Sequence, residues 1–258
     1  MPRDIHPTAL IHPDATIGEN VSVGPYSVIG AKVALGDGCR IGSSVLIDGE
    51  TTLGRNNNVF HGAAIGNVCQ DLKFHGERTF VRIGDGNTIR EFVTVNSATG
   101  EGESTVVGSN VLLMAYVHIA HNCVIGDHVI LANAVNLAGH VHVHDFASIG
   151  GVTPVHQFVE VGRHAFIGGG SRIPQDVPPF VKVAGNPARV AGLNAVGLAR
   201  RGFTAEQRSL LKKAYVILFR SGLNVSQAVE RICAELPATE EVSMFVDFIR
   251  NSKRGIIR

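Results

Sequence analysis

The sequence predicts a parallel β-helix of hexapeptide repeats followed by a small helical domain, and three features carry that reading. The first is an aliphatic residue at every sixth position: Ile5, Ile11, Ile17, Val23, Ile29, Leu35, Ile41, Ile47, Leu53, Val59 and Ile65. This column resumes in phase at Ile83, Ile89 and Val95, and again from Val107 to Ile173. The second is the company the column keeps. Gly follows it at Gly18, Gly24, Gly30 and Gly36, and a small side chain often stands two residues before it, as at Ala9, Ala15, Ser27, Cys39 and Ala63. The third is the abrupt end of the period after Ile173, where Pro174, Pro178, Pro179 and Pro187 give way to helical spacing.

A period of six matches neither the 3.6 of an amphipathic helix nor the 2 of an alternating strand. It matches a hexapeptide solenoid, in which each repeat makes one short flat side and three repeats close a triangular coil of roughly 18 residues. The aliphatic residue points inward, and Gly eases the backbone near the corner. The column breaks at Asp71 and Glu77, and again at Glu101. Two loops thrown off the prism are therefore expected, at about residues 67–80 and 97–104. The first contains Gln70-Asp71-Leu72-Lys73 and reads as a binding element; the second is open between a binding element and an ornament. The prolines predict a rigid connector. Beyond it, Thr204-Ala-Glu-Gln207 is a capping box opening a helix through Leu210, Leu211, Ala214, Tyr215 and Leu218. Asn224 or Ser226 would cap a second helix through Val229 and Ile232, and Thr239 a third through Met244, Phe245 and Phe248. The expected division is a β-helix over 1–188 and a helical domain over 189–258.

Composition narrows the function classes. Hydrophobic residues are 45% and charged residues 17%, enough for a sizeable core and against disorder. A formal charge of +1 lacks the electrostatic footprint of nucleic-acid binding. The four cysteines are scattered with no C-x-x-C pair, which favours a reduced compartment over a disulfide framework. The N-terminus has no apolar run of a secretory signal. No stretch approaches the roughly 20 apolar residues that span a bilayer. A cytoplasmic protein without stable membrane insertion is expected.

Polar residues concentrate in three segments: Met114–Asn122 with His118 and His121, Leu137–His144 with Gly139, His140, His142 and His144, and Val155–Phe158 with His156 and Gln157. Residues 18 apart stack on adjacent coils at roughly the 4.8 Å spacing of paired strands. His121, Gly139 and Gln157 form one such column, flanked by His140 and His156. Two chemistries compete there. A His can act as general base at neutral pH, with a Gly N–H on the next coil receiving an oxyanion because no Cβ blocks the approach. That is acyl transfer to a hydroxyl. Alternatively several His could bind zinc, as in the gamma-class carbonic anhydrases, which share the β-helix. His142 and His144 read as surface histidines, since alternation turns the middle one of the three away from its neighbours.

At these residues the chain resembles the UDP-N-acetylglucosamine 3-O-acyltransferase family along essentially its whole length. The matching pieces are QDLK (Gln70 to Lys73), MAYVHIAH (Met114 to His121), LAGHV (Leu137 to Val141), VHQF (Val155 to Phe158), QDVPPF (Gln175 to Phe180), RRGF (Arg200 to Phe203) and RGIIR (Arg254 to Arg258). The resemblance implies a left-handed β-helix and a homotrimer. It implies transfer of a 3-hydroxyacyl chain from acyl carrier protein to the 3-hydroxyl of UDP-N-acetylglucosamine, the first step of lipid A synthesis. It makes His121 the general base and Gly139 the oxyanion donor. His118, His140, His156 and Gln157 would line the cleft, with Asp71 and Lys73 arriving on a neighbouring subunit's loop. Asn194, Arg200 and Arg201 would reach uridine and phosphates, and Gly169 would leave room for a long acyl chain. No metal or prosthetic cofactor is implied.

The chain departs from the family's pattern at three places. Asn122 stands where an Asp often follows the base, so a weaker electrostatic assist, or a substitute such as a backbone carbonyl holding the ring, is expected. Asn96-Ser-Ala-Thr99 replaces an HRGT segment, and Val196 a uracil-contacting Glu. An amine acceptor at sugar position 3 therefore stays open beside the hydroxyl, and a gamma-type zinc hydratase remains the metal alternative.

Overall fold

Each hexapeptide contributes a two-residue strand, a two-residue corner and one linking residue on either side of that corner, and the strand ends on the residue of the aliphatic column. In the computed structural model, which describes residues 4–258, three sheets of 11, 8 and 8 strands, parallel except for the last strand of the first, form the sides of a prism. The first face begins at Asp4–Ile5, the second at Leu10–Ile11 and the third at Thr16–Ile17. Partners lie 18 residues apart, as in Ile5↔Val23 and Ile119↔Leu137. From Val23 onward, apart from the loops, the column is buried, with Leu113, Ile119, Leu131 and Leu137 at 0% exposure. Burying one such side chain stabilises by about 1.5–3 kcal/mol.

The two loops leave and re-enter the prism between Ala64–Asn67 and Phe80–Ile83, and between Thr94–Asn96 and Ser104–Val107. Across them the register partners are Asn58↔Thr88 and Thr88↔Leu112, separations of 30 and 24 instead of 18. The insertions thus add whole multiples of six, and the column resumes in phase.

The prolines do not mark a plain connector. Val181–Ala184 continues the first face, and Arg189–Leu193 pairs with it antiparallel, so the sheet runs past residue 188 before the helices begin. Four helices follow. The first, α1 (Ala195–Arg200), is capped by Asn194 and was not anticipated. The others are α2 (Ala205–Arg220), α3 (Val225–Glu235) and α4 (Glu240–Asn251), capped by Thr204, Asn224 and Thr239, with full capping boxes on α2 and α3. Their apolar faces join the prism core through Leu198, Leu211, Leu218, Ile232 and Phe245. Among the described residues no helix is long and apolar enough to cross a membrane.

Candidate active site

The prism has three edges, and the residues singled out from sequence divide among them. His121 and Asn122, Gly139 and His140, and Gln157 and Phe158 occupy successive corners between the second and third faces. Each corner places one residue at positive φ, here Asn122 (57°), His140 (58°) and Phe158 (64°). Asn visits this region at little cost, whereas larger side chains need their surroundings to hold them there. Stacked packing supplies that support: His140 lies edge-on to His121 at 5.1 Å and flat on Phe158 at 4.7 Å.

His121 is buried, with 7% exposure. Its Nδ1 bonds the Asn122 side-chain oxygen at 2.9 Å, and its Nε2 lies 3.6 Å from a carboxylate oxygen of Asp71. The ring is therefore held by the Asn122 carboxamide and not by a backbone carbonyl. The loop also needs correcting: this chain's own Asp71 already reaches its own His121, without a neighbouring subunit. The Asp71 carboxylate accepts from the Lys73 N–H at 3.0 Å, and that bond, with help from His121, holds its pKa below the usual carboxylate value. Lys73 is exposed, as is Leu72 between them.

Gly139 sits one coil above His121. A Cβ there would collide with His121 Nε2 and Cε1, so only Gly allows the ring its position. Its N–H also has no hydrogen-bond partner among the described residues. His118 is tied to Thr94 through Nδ1 at 2.7 Å, and burial lowers its pKa. Burial and the neighbouring His121 do the same for His140. His156 is exposed, with Nδ1 3.1 Å from the Gln157 carbonyl oxygen. Of the remaining histidines of this run, His142 lies exposed on the third face. His144 approaches Glu160 at 3.3 Å and the edge of Phe248. Among the described residues no group of three or more His, Cys, Asp or Glu side chains is arranged to hold a metal.

Asn194, Arg200 and Arg201 are on a different edge, between the third and first faces. With Phe146, Ser148, His164, Phe166, Lys182, Val196 and Gly197 they line a cavity of about 400 Å³. The Asn194 carboxamide both caps α1 at Gly197 and donates to the His164 carbonyl at 3.0 Å, fixing the helix against this edge. Arg201 lies over the Phe146 ring at 4.8 Å. His164, stacked between Phe146 and Phe180, was not singled out from sequence. Burial first, then Arg163 and Arg201, push its pKa down to about 4. The 18-residue series His128, Phe146, His164 was its signal. Gly169 lies on the third edge, where a Cβ would stand 3.1 Å from the Gly151 carbonyl.

Comparison with known proteins bears on this arrangement. A bacterial transferase hexapeptide model matches residues 14–49 and 104–139, and the model described as Udp N-acetylglucosamine O-acyltransferase, domain 2, matches residues 176–257. Acyl-(acyl-carrier-protein)–UDP-N-acetylglucosamine O-acyltransferases from Syntrophobacter fumaroxidans and Thermodesulfovibrio yellowstonii are 48% and 49% identical, over 98% and 99% of this chain and 99% and 100% of theirs. The chain belongs to the acyl-(acyl-carrier-protein)–UDP-N-acetylglucosamine O-acyltransferase family. Solved structures of this O-acyltransferase family superpose over the whole length. LpxA from Acinetobacter baumannii does so with TM-score 0.94 at 42% identity, covering 98% of this chain and 99% of that one. LpxA from Bacteroides fragilis does so with TM-score 0.95 at 44% identity and the same coverage. The prism is accordingly a left-handed parallel β-helix, as in the O-acyltransferases it matches.

Proposed function

We propose that this chain transfers a 3-hydroxyacyl group from the thioester of acyl carrier protein to the 3-hydroxyl of UDP-N-acetylglucosamine, opening lipid A synthesis, with His121 as general base. One observation carries the catalytic assignment. The Nε2 of His121 faces a carboxylate that can hold a sugar hydroxyl, and an uncapped Gly139 N–H stands one coil above it. In this reading Nε2 takes the proton of the 3-hydroxyl as its oxygen attacks the thioester carbonyl. The oxyanion receives the Gly139 N–H. The tetrahedral intermediate then expels the carrier's thiolate, which leaves with the proton from His121. His118, His140, His156, Gln157, Asp71 and Lys73 surround the acceptor.

The Arg200–Arg201 cavity takes the nucleotide, because guanidinium forks match phosphate oxygens. It stands on another edge of the same prism, and Ser148, Phe166 and Lys182 extend it onto the first face. A homotrimer completes the site in this reading, by setting the His121 edge of one copy against the first face of the next. The nucleotide then points toward Arg201 and the acyl chain toward Gly169, on the opposite edge of that face. In this reading the β-helix supplies the chemistry and the segment that opens the helical part, with Asn194, Arg200 and Arg201, the phosphate contacts. A cytoplasmic location belongs to the same reading, supported by four unpaired cysteines.

Single-turnover transfer from 3-hydroxymyristoyl acyl carrier protein to UDP-N-acetylglucosamine tests it. Wild type should transfer, and His121→Ala should lose at least about a hundredfold, the usual worth of a general base. Transfer only to a 3-amino sugar nucleotide, or undiminished transfer by His121→Ala, would overturn the acceptor or the base respectively. Gly169→Met should shift preference toward shorter chains.

A further inference from the structure

The carboxamide of Asn122 is 8% exposed as part of its residue and makes a closed set of bonds. Its Nδ2 donates to the Thr99 carbonyl at 3.1 Å, and its Oδ1 accepts from the Thr99 N–H at 3.0 Å. A backbone carbonyl can only accept and a backbone N–H can only donate. The two Thr99 groups therefore decide which end of the carboxamide is oxygen, an assignment that carboxamide geometry alone leaves open. That oxygen is the atom facing His121 Nδ1 at 2.9 Å. An acceptor there requires a proton on Nδ1, which leaves the lone pair of the neutral ring on Nε2.

Thr99 belongs to the second insertion. The insertion is bonded to the first one by Ser97 N–H to the Asn67 carbonyl at 2.8 Å, by Asn96 Nδ2 to the Val68 carbonyl at 2.7 Å, and by Gly102 N–H to the Arg78 carbonyl at 2.9 Å. Arg78 N–H also donates to the Glu101 carboxylate at 3.0 Å. The first insertion brings Asp71 to the other ring nitrogen. The two loops thus form one bonded unit that addresses both nitrogens of His121. The Asn122 backbone is anchored separately, by its N–H to Thr105 Oγ1 at 2.9 Å.

We propose that Asn122 is a positioning residue and the second insertion its clamp: Thr99 orients the carboxamide, and the carboxamide holds His121 in the tautomer whose Nε2 can accept the substrate proton. The proposal rests on His121 being the base, and its test separates the two.

Long-range proton–nitrogen correlation of histidine-labelled protein, with the His121 signals assigned by loss in His121→Gln, should show a single Nδ1–H tautomer in wild type at a pH where the ring is neutral. Asn122→Gly tolerates the positive φ and removes the acceptor, so it should show a mixture. Its single-turnover rate should fall at least about tenfold, within the range a misoriented general base loses. Its KM for UDP-N-acetylglucosamine should stay within about twofold. Asn122→Asp keeps an acceptor and should recover both the tautomer and most of the rate. Thr99→Pro removes the N–H that orients the carboxamide and should also show a tautomer mixture. A wild-type tautomer and rate in Asn122→Gly would overturn the proposal, and so would an Asn122→Asp no better than Asn122→Gly. Wild-type behaviour of Thr99→Pro would overturn the clamp. Because the tautomer is read without turnover, a chain that failed to acylate UDP-N-acetylglucosamine would sink the functional reading while leaving this one measurable.

Discussion

Two edges of the prism share one backbone plan and use it differently. Along the edge that carries Phe146, several corner N–H groups are capped by a side chain of the next coil up. Glu19 donates to Asp37 at 2.8 Å, Ser109 to Asp127 at 2.7 Å and Asp127 to Asp145 at 2.9 Å. Flat rings at His128, Phe146 and His164 fill the outside. Along the edge that carries His121, the residue above is Gly139 and the one above that is Gln157, and the Gly139 amide is left uncapped. The first edge spends these corner donors on holding coils together. The second keeps one donor free beside a buried imidazole. Chemistry in this fold thus needs no special backbone, only a free corner donor beside a buried imidazole.

That contrast can be attacked from several sides. The largest effect should come from Gly139→Ala, where the new Cβ collides with the His121 ring and crowds the free N–H. Single-turnover transfer should fall by about a hundredfold, the scale of a lost oxyanion donor, while thermal unfolding stays near wild type. Arg201→Ala should act on binding instead. The KM for the sugar nucleotide should rise on the order of tenfold for one charged hydrogen bond, with the single-turnover limit nearly unchanged. Asp145→Ala removes a cap from the other edge and should cost about 1 kcal/mol in denaturant unfolding with activity retained. If it disabled catalysis, the division between the edges would fail.

The smallest effect concerns pH. His164 has its folded pKa pushed down to about 4, below the roughly 6.5 of an unfolded histidine. Its unfolded state binds more protons in that window, so its neutral burial stabilises fully above about pH 6.5 and progressively less down to about 4. His164→Phe should flatten the melting temperature between pH 7 and pH 4.5 relative to wild type. An unchanged slope would assign the acid sensitivity elsewhere.

The prism was legible because its rule is local. One inward aliphatic residue per six leaves a mark that Ile119 and Leu137 carry as clearly as Ile29. The loops were legible as failures of the mark at Asp71, Glu77 and Glu101. The stacking of His121, Gly139 and Gln157 followed from counting. The hairpin of Val181–Ala184 with Arg189–Leu193 was not legible, because antiparallel pairing abandons the six-residue period and the prolines mask what replaces it. Helix α1 is only six residues long, too short for a periodic signal. The contact between Asp71 and its own His121 depends on how a 12-residue excursion folds back, which no spacing encodes. The bond from Asn122 to Thr99 spans 23 positions across an insertion, outside the 18-residue arithmetic.

The two insertions have a metrical consequence. Six residues set whether a side chain faces in or out, and eighteen set which edge it occupies. Above the loops, both counts run unbroken from Val107 to Ile173. The height of the Arg200–Arg201 cavity above His121 is therefore quantised: it can change only by whole coils, in steps of roughly 4.8 Å, if every later residue is to keep its edge. A chain of this kind can lengthen or shorten what it measures in discrete units, but it cannot fine-tune that length by sliding.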